Sequence, residues 1–192
     1  MLKLVVFISG GGTNLQALID ACREGKLAAE IRAVISNNSQ AYGLARAKDA
    51  GISTYHISKI KYPNEDNYVC AIEETLEEAG ADVIVLAGYM KLLPAVIVRK
   101  FHGRIINIHP ALLPKYGGKG MYGINVHKAV LENSDRVSGA TVHVVTEEYD
   151  RGPILIQRCV PVIEGDTPET LAARVLEVEH MILPEAVALF IR

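Results

Sequence analysis

Short β-branched runs alternate with longer stretches of helical period from the first residue onward, and this alternation constrains the fold more than any other feature of the chain. Leu2 to Ser9 reads as a buried strand. Asn14 to Glu24 reads as a helix with Leu15, Leu18, Ile19 and Cys22 on one face, stopped by Gly25. Glu30 to Ser36 is a second strand, Tyr42 to Ala50 a helix ended by Gly51, and Ser53 to Ile57 a short third strand. Asp66 to Ala79 is an amphipathic helix. Asp82 to Ala87 and Arg104 to Ile108 are apolar strands, and Pro94 opens a short helix between them.

The style changes after Pro110 to Gly123, a segment with two Pro and four Gly that reads as a functional loop. Ala140 to Val145 and Ile154 to Val162 are strands, and the polar Thr141 and His143 suggest a partly exposed antiparallel extension. Thr167 is the expected N-cap of a last helix, with Pro168 at its first position, a body from Thr170 to Ile191 and an interruption near Pro184. The sum is a Rossmann-like α/β fold: a mostly parallel twisted sheet with helices on both faces and an antiparallel C-terminal strand extension. No repeat or linker divides it, so residues 1–192 read as one domain.

With 20 basic against 22 acidic side chains, the chain has no global cationic field, which argues against nucleic acid and anionic membrane as partners. The apolar stretch Leu4 to Ile8 is too short to span a bilayer. Cys22, Cys70 and Cys159 are widely spaced, so neither a disulfide framework nor a zinc cluster is expected and a reducing cytoplasm fits best. No His-Glu-x-x-His or similar spacing marks a metal site.

In an open α/β sheet the ligand crevice lies beyond the carboxyl ends of the strands. Three segments fall there: Ser9 to Asn14, Gly88 to Lys91, and Asn107 to Pro110. The glycines of the first let the backbone approach a ligand, and the following helix offers free N–H groups, so a phosphate is the natural guest. Leu15 occupies the place of a third dinucleotide-fold glycine, and Ser36-Asn37-Asn38 lacks the ribose-binding acid, which disfavours NAD. The plainer reading is that these glycines only make a tight turn.

Asn107 and His109 stand two residues apart, so in an extended strand their side chains share a face. An amide donor beside an imidazole suits a developing oxyanion and proton movement near neutral pH, although a lone His before Pro is often purely structural. Asp150, in the Asp-Arg-Gly-Pro turn, is the candidate third partner; the alternative is a turn aspartate bonded to its own backbone. His56 and His102 read as surface-turn residues, while His127 and His180 read as helix residues. His143 lies on a strand face from which it could reach the cleft.

Taken together, ISGGGTNLQALID, VLAGYMKLL, INIHPALLPKY, DRGPI and ARVLEVEH resemble the phosphoribosylglycinamide formyltransferases from end to end. The resemblance implies a single formyltransferase domain that moves the formyl group of 10-formyltetrahydrofolate, a cosubstrate, to the amine of glycinamide ribonucleotide in purine synthesis, without a metal. It implies a catalytic set of Asn107, His109 and Asp150. Gly11, Gly12, Thr13 and Asn14 would hold the substrate phosphate, with Met90 and Glu179 on its ribose and glycinamide. Lys91, Leu93, Val145 and Glu147 would border the pterin. The chain would work as a monomer or homodimer.

It departs from the family pattern at Ala111 (commonly Ser), Asn125 (commonly His), Leu176 (often Gln) and Glu65 (near a usual Arg), and its GGKGMYG loop, 117–123, is longer; Lys119 there could replace a lost phosphate contact, but a solvated loop lysine is the plainer reading. Methionyl-tRNA formyltransferase and formyltetrahydrofolate hydrolase share the Asn-x-His-Pro core, but each usually carries a further domain not expected here. The alternative of another class is a non-catalytic phosphosugar or nucleotide binding module that uses only the glycine turn.

Overall fold

The computed structural model describes residues 1–191. Its elements run β1 (Leu2–Ile8), α1 (Thr13–Arg23), β2 (Ala29–Ser36), α2 (Tyr42–Asp49), β3 (Ser53–His56), α3 (Glu65–Glu78), β4 (Val83–Leu86), α4 (Ala95–Lys100), β5 (Ile105–His109), α5 (Ile124–Glu132), β6 (Val137–Val144), β7 (Ile154–Pro161) and α6 (Pro168–Ala188). One seven-stranded sheet has the order β3-β2-β1-β4-β5-β6-β7. The pairs from β3 to β5 are parallel, and β5–β6 and β6–β7 are antiparallel. The expected Rossmann-like architecture is therefore present, with its antiparallel extension.

β1 is apolar from Leu4 to Ile8 because both faces of that stretch are covered. Leu4, Val6 and Ile8 point into a core shared with α1 and α6, while Val5 and Phe7 point into a second core with α3 and α4. α6 supplies Leu171, Val175, Ile182 and Leu183 to the first core, all fully buried. Its start follows the sequence: the Thr167 side chain accepts from the Thr170 N–H, the Thr170 side chain answers to the Thr167 N–H, and Pro168 takes the first turn.

Three expectations need correction. α6 is not interrupted at Pro184 but runs through it, because Ile182, Leu183, Ala186 and Val187 bury a continuous face on either side. Thr141 and His143 are not partly exposed; both are buried on β6, which starts at Val137 and has β5 and β7 as neighbours. Their polar atoms are satisfied internally: Thr141 Oγ1 donates to the Ala111 carbonyl at 2.6 Å and accepts from Gln157 Nε2 at 2.9 Å. His109 does not follow β5 but is its last residue, paired across to Thr141. β7 is an edge strand and largely exposed.

Candidate active site

Hydrogen bonds tie the ends of three parallel strands together. Ser9 Oγ, after β1, donates to Asn37 Oδ1 after β2 and accepts from the Met90 N–H after β4 at 2.8 Å. The edge so formed opens into a cleft of about 830 Å³, closed on its other sides by the 118–124 segment, the turn after β6 and one face of α6.

Asn107, His109 and Asp150 all line this cleft. Asn107 and His109 share a face of β5 as their spacing requires, and antiparallel pairing sets His143 of β6 directly opposite Asn107. His143 Nδ1 lies 3.0 Å from the Val144 carbonyl, which can only accept, so that nitrogen carries a proton. In the neutral ring Nε2 then accepts from Asn107 Nδ2 at 3.2 Å, which fixes the amide and leaves its second hydrogen free. By the same argument His109 Nε2, 2.7 Å from the Tyr116 carbonyl, carries that ring's proton and leaves Nδ1 as the basic nitrogen.

Asp150 stands between the two rings. Its Oδ2 is 3.7 Å from His109 Nδ1, its Oδ1 is 3.4 Å from His143 Nε2, and Oδ2 accepts from the Gly118 N–H at 2.9 Å. Burial pushes the Asp150 carboxyl up, but the imidazoles of His143 and His109, whenever either carries a second proton, and the Gly118 N–H together hold it below its usual value. Burial lowers His109, against the pull of Asp150. A neutral base thus faces a charged carboxylate, the pairing needed to take up a proton and then stabilise the resulting cation. Asp150 adopts φ 50°, a left-handed turn conformation that aspartate tolerates.

At the far side of the cleft Asn14 Nδ2 donates to Glu179 Oε2 at 2.6 Å, and both residues are buried. Desolvation pushes the Glu179 carboxyl up to about 7, opposed by that amide. Asn14 Oδ1 is buried without a partner. Met90, Lys91, Leu93, Val145 and Glu147 also border the cleft, but Gly11, Gly12 and Thr13 do not. Instead Gly12, at φ 71°, packs on α2: a Cβ there would come within 2.6 Å of Gly43 Cα. Arg46 Nε donates to the Gly11 carbonyl at 2.9 Å. The glycine turn therefore has a packing role, beside which the N–H groups of the first turn of α1 remain open to an anion.

Leu176 and Lys119 line the cleft, whereas Glu65 lies outside it, paired with Lys59 at 2.8 Å. Sequence reasoning missed His127. It is 3% exposed, borders the cleft, and has Nδ1 buried without a partner. Val130, three residues on and also buried, was the available signal that His127 sits on the inner face of α5. Among the described residues no group of three or more His, Cys, Asp or Glu is arranged to hold a metal ion. No helix among them is long and apolar enough to cross a membrane.

Comparison with known proteins gives a consistent picture. The family described as formyl transferase matches residues 2–187. Phosphoribosylglycinamide formyltransferase of Escherichia coli is 42% identical over 189 residues, covering 98% of this chain and 87% of that protein. The chloroplastic phosphoribosylglycinamide formyltransferase of Arabidopsis thaliana is 46% identical across 96% of this chain, which spans only 64% of that relative's length. The crystal structure of glycinamide ribonucleotide transformylase 1 from Symbiobacterium toebii superposes with a TM-score of 0.92 at 45% identity, over 99% of this chain and 87% of that one.

Proposed function

The chain belongs to the formyl transferase family, and on that premise we propose that it transfers the formyl group of 10-formyltetrahydrofolate to the amine of glycinamide ribonucleotide. The observation that carries the reading is the meeting of Asp150, His109 and Asn107 at one wall of the cleft, although Asp150 is 41 residues beyond His109 in sequence.

In this reaction the amine nitrogen bonds to the formyl carbon, the bond from that carbon to the folate nitrogen breaks, and a proton passes from the amine to the folate nitrogen. Negative charge gathers on the formyl oxygen on the way. The free Asn107 amide hydrogen supplies a donor for it, held by His143 so that little reorientation is needed when the charge appears. His109 Nδ1 takes the amine proton, and Asp150 stabilises the imidazolium until the proton is returned to the leaving nitrogen.

Glu179 and Asn14 suit the ribose and glycinamide, with Met90 beside them and the Gly11-to-Asn14 turn that leads into α1 receiving the phosphate. The apolar wall around Leu93 and Val145, with Lys91 and Glu147 at its rim, suits a pterin ring. The test is tetrahydrofolate release from 10-formyltetrahydrofolate by the purified protein, with and without glycinamide ribonucleotide. Release that requires the ribonucleotide is expected. Release without it would make the protein a hydrolase, and no release in either case would leave a binding role.

A further inference from the structure

We propose that Asp135, a residue outside the cleft in the turn between α5 and β6, is a positioning residue that holds the Tyr116 carbonyl against His109 and so sets which ring nitrogen is basic. The inference rests on the reading of His109 as the proton carrier. Asp135 Oδ2 accepts from the Tyr116 hydroxyl at 2.7 Å, and its two oxygens accept from Lys115 Nζ at 2.7 and 2.6 Å. The carboxylate thus grips two consecutive side chains of the loop that follows β5. The next atoms along that loop matter most: the Tyr116 carbonyl is 2.7 Å from His109 Nε2.

Tyr116 needs such a grip because its backbone is left-handed, at φ 58°, a conformation that disfavours a bulky aromatic residue and persists only where the surroundings impose it. Released from Asp135, the residue can relax toward negative φ, which swings the carbonyl away from the imidazole. Nothing else among the described residues accepts from His109 Nε2. The ring would then be free to place its proton on Nδ1, toward Asp150, and the site would lose its base.

The groups facing His109 are Asp150 from the turn after β6, His143 from β6, His127 from α5 and the Tyr116 carbonyl from the loop. Burial disfavours the protonated ring and His143 adds to that, while Asp150 and the carbonyl favour it. Loss of the carbonyl alone therefore moves His109 to still lower pH. Asp135→Ala is expected to lower kcat by about 10- to 100-fold, the scale of a small misplacement of a reacting group. Both KM values should stay within about twofold, and the acid limb of kcat should shift to lower pH. Tyr116→Phe should act in the same direction, and the double variant should be no worse than Asp135→Ala, as one shared contact requires. Asp135→Asn, which keeps an oxygen for the Tyr116 hydroxyl, should recover part of the loss.

Nitrogen NMR of the His109 ring supplies a readout that does not depend on turnover. A wild-type ring protonated at Nε2, and a mixed population in Asp135→Ala, are expected. If the tautomer is the same in both proteins, or if kcat and its pH profile do not move, Asp135 merely staples the loop and the inference is wrong. If the wild-type protein transfers no formyl group while the tautomer still shifts with Asp135, the latch stands and the proposed reaction falls.

Discussion

Asn107, His109, Asp150 and Glu179 each have a neighbour that decides their chemical state, and the expected effects of substitution follow. Asn107→Ala removes the amide donor and should cost roughly 100- to 1000-fold in kcat, about 3–4 kcal/mol of transition-state stabilisation. A drop of less than tenfold in steady-state assays would end its role as an oxyanion donor. Asp150→Asn keeps a shape that tolerates the left-handed backbone at φ 50°, so circular dichroism should be unchanged while kcat falls by roughly 100-fold or more. Glu179 gives a pH dependence of stability. Its folded pKa of about 7 lies above the ordinary carboxyl value, so between the two the unfolded chain ionises first and stability drains away as pH rises. At about 1.4 kcal/mol per unit the full loss is of order 3 kcal/mol. Glu179→Gln should flatten this slope in urea titrations at pH 5.5 and 8, and an unchanged slope would show that the carboxyl is not the titrating group. Asn107 and His109 were legible in the sequence from their two-residue spacing, and Asp150 from its turn. His143's hold on Asn107 was not, because it depends on the β5–β6 register, and for His127 the spacing to Val130 marked only a helix face, while its place at the cleft depends on how α5 packs.

Elements announced themselves where local chemistry and tertiary burial agreed. α1, α2 and α3 fall within a residue of their expected starts, and Gly25 and Gly51 end theirs with φ of 70° and 74°. Reading failed where packing overrode a local signal. Pro184 deletes one N–H but cannot break a helix held on both sides by buried residues, and the polar Thr141 suggested exposure where internal partners made burial affordable. The glycine turn combines both kinds of information. Gly12→Ala incurs the left-handed penalty of about 1–2 kcal/mol and forces a Cβ against the backbone of Gly43. We expect a loss of at least about 2 kcal/mol in denaturant unfolding together with a raised KM for the phosphorylated substrate. Wild-type stability in this variant would mean that α1 and α2 can separate without cost.

At the scale of the whole molecule, α6 is both wall and floor: it seals one core with Leu171, Val175, Ile182, Leu183 and Val187 and presents Glu179 to the cleft. Burying such side chains contributes about 1.5–3 kcal/mol each, so losing five exceeds much of the 5–15 kcal/mol by which a domain is stable. A chain stopped at Glu164 should show no cooperative thermal transition, and a sharp melt with native-like circular dichroism would show that the rest of the fold stands alone. The bond from Asn14 to Glu179 spans 165 residues. During synthesis, at about 5–20 residues per second, the first half of that pair therefore waits on the order of ten seconds for the second. Until α6 emerges from the ribosome and docks, a nascent chain displays only a half-built pocket, so the cleft comes into being in one step, when the last of its walls joins strands made long before.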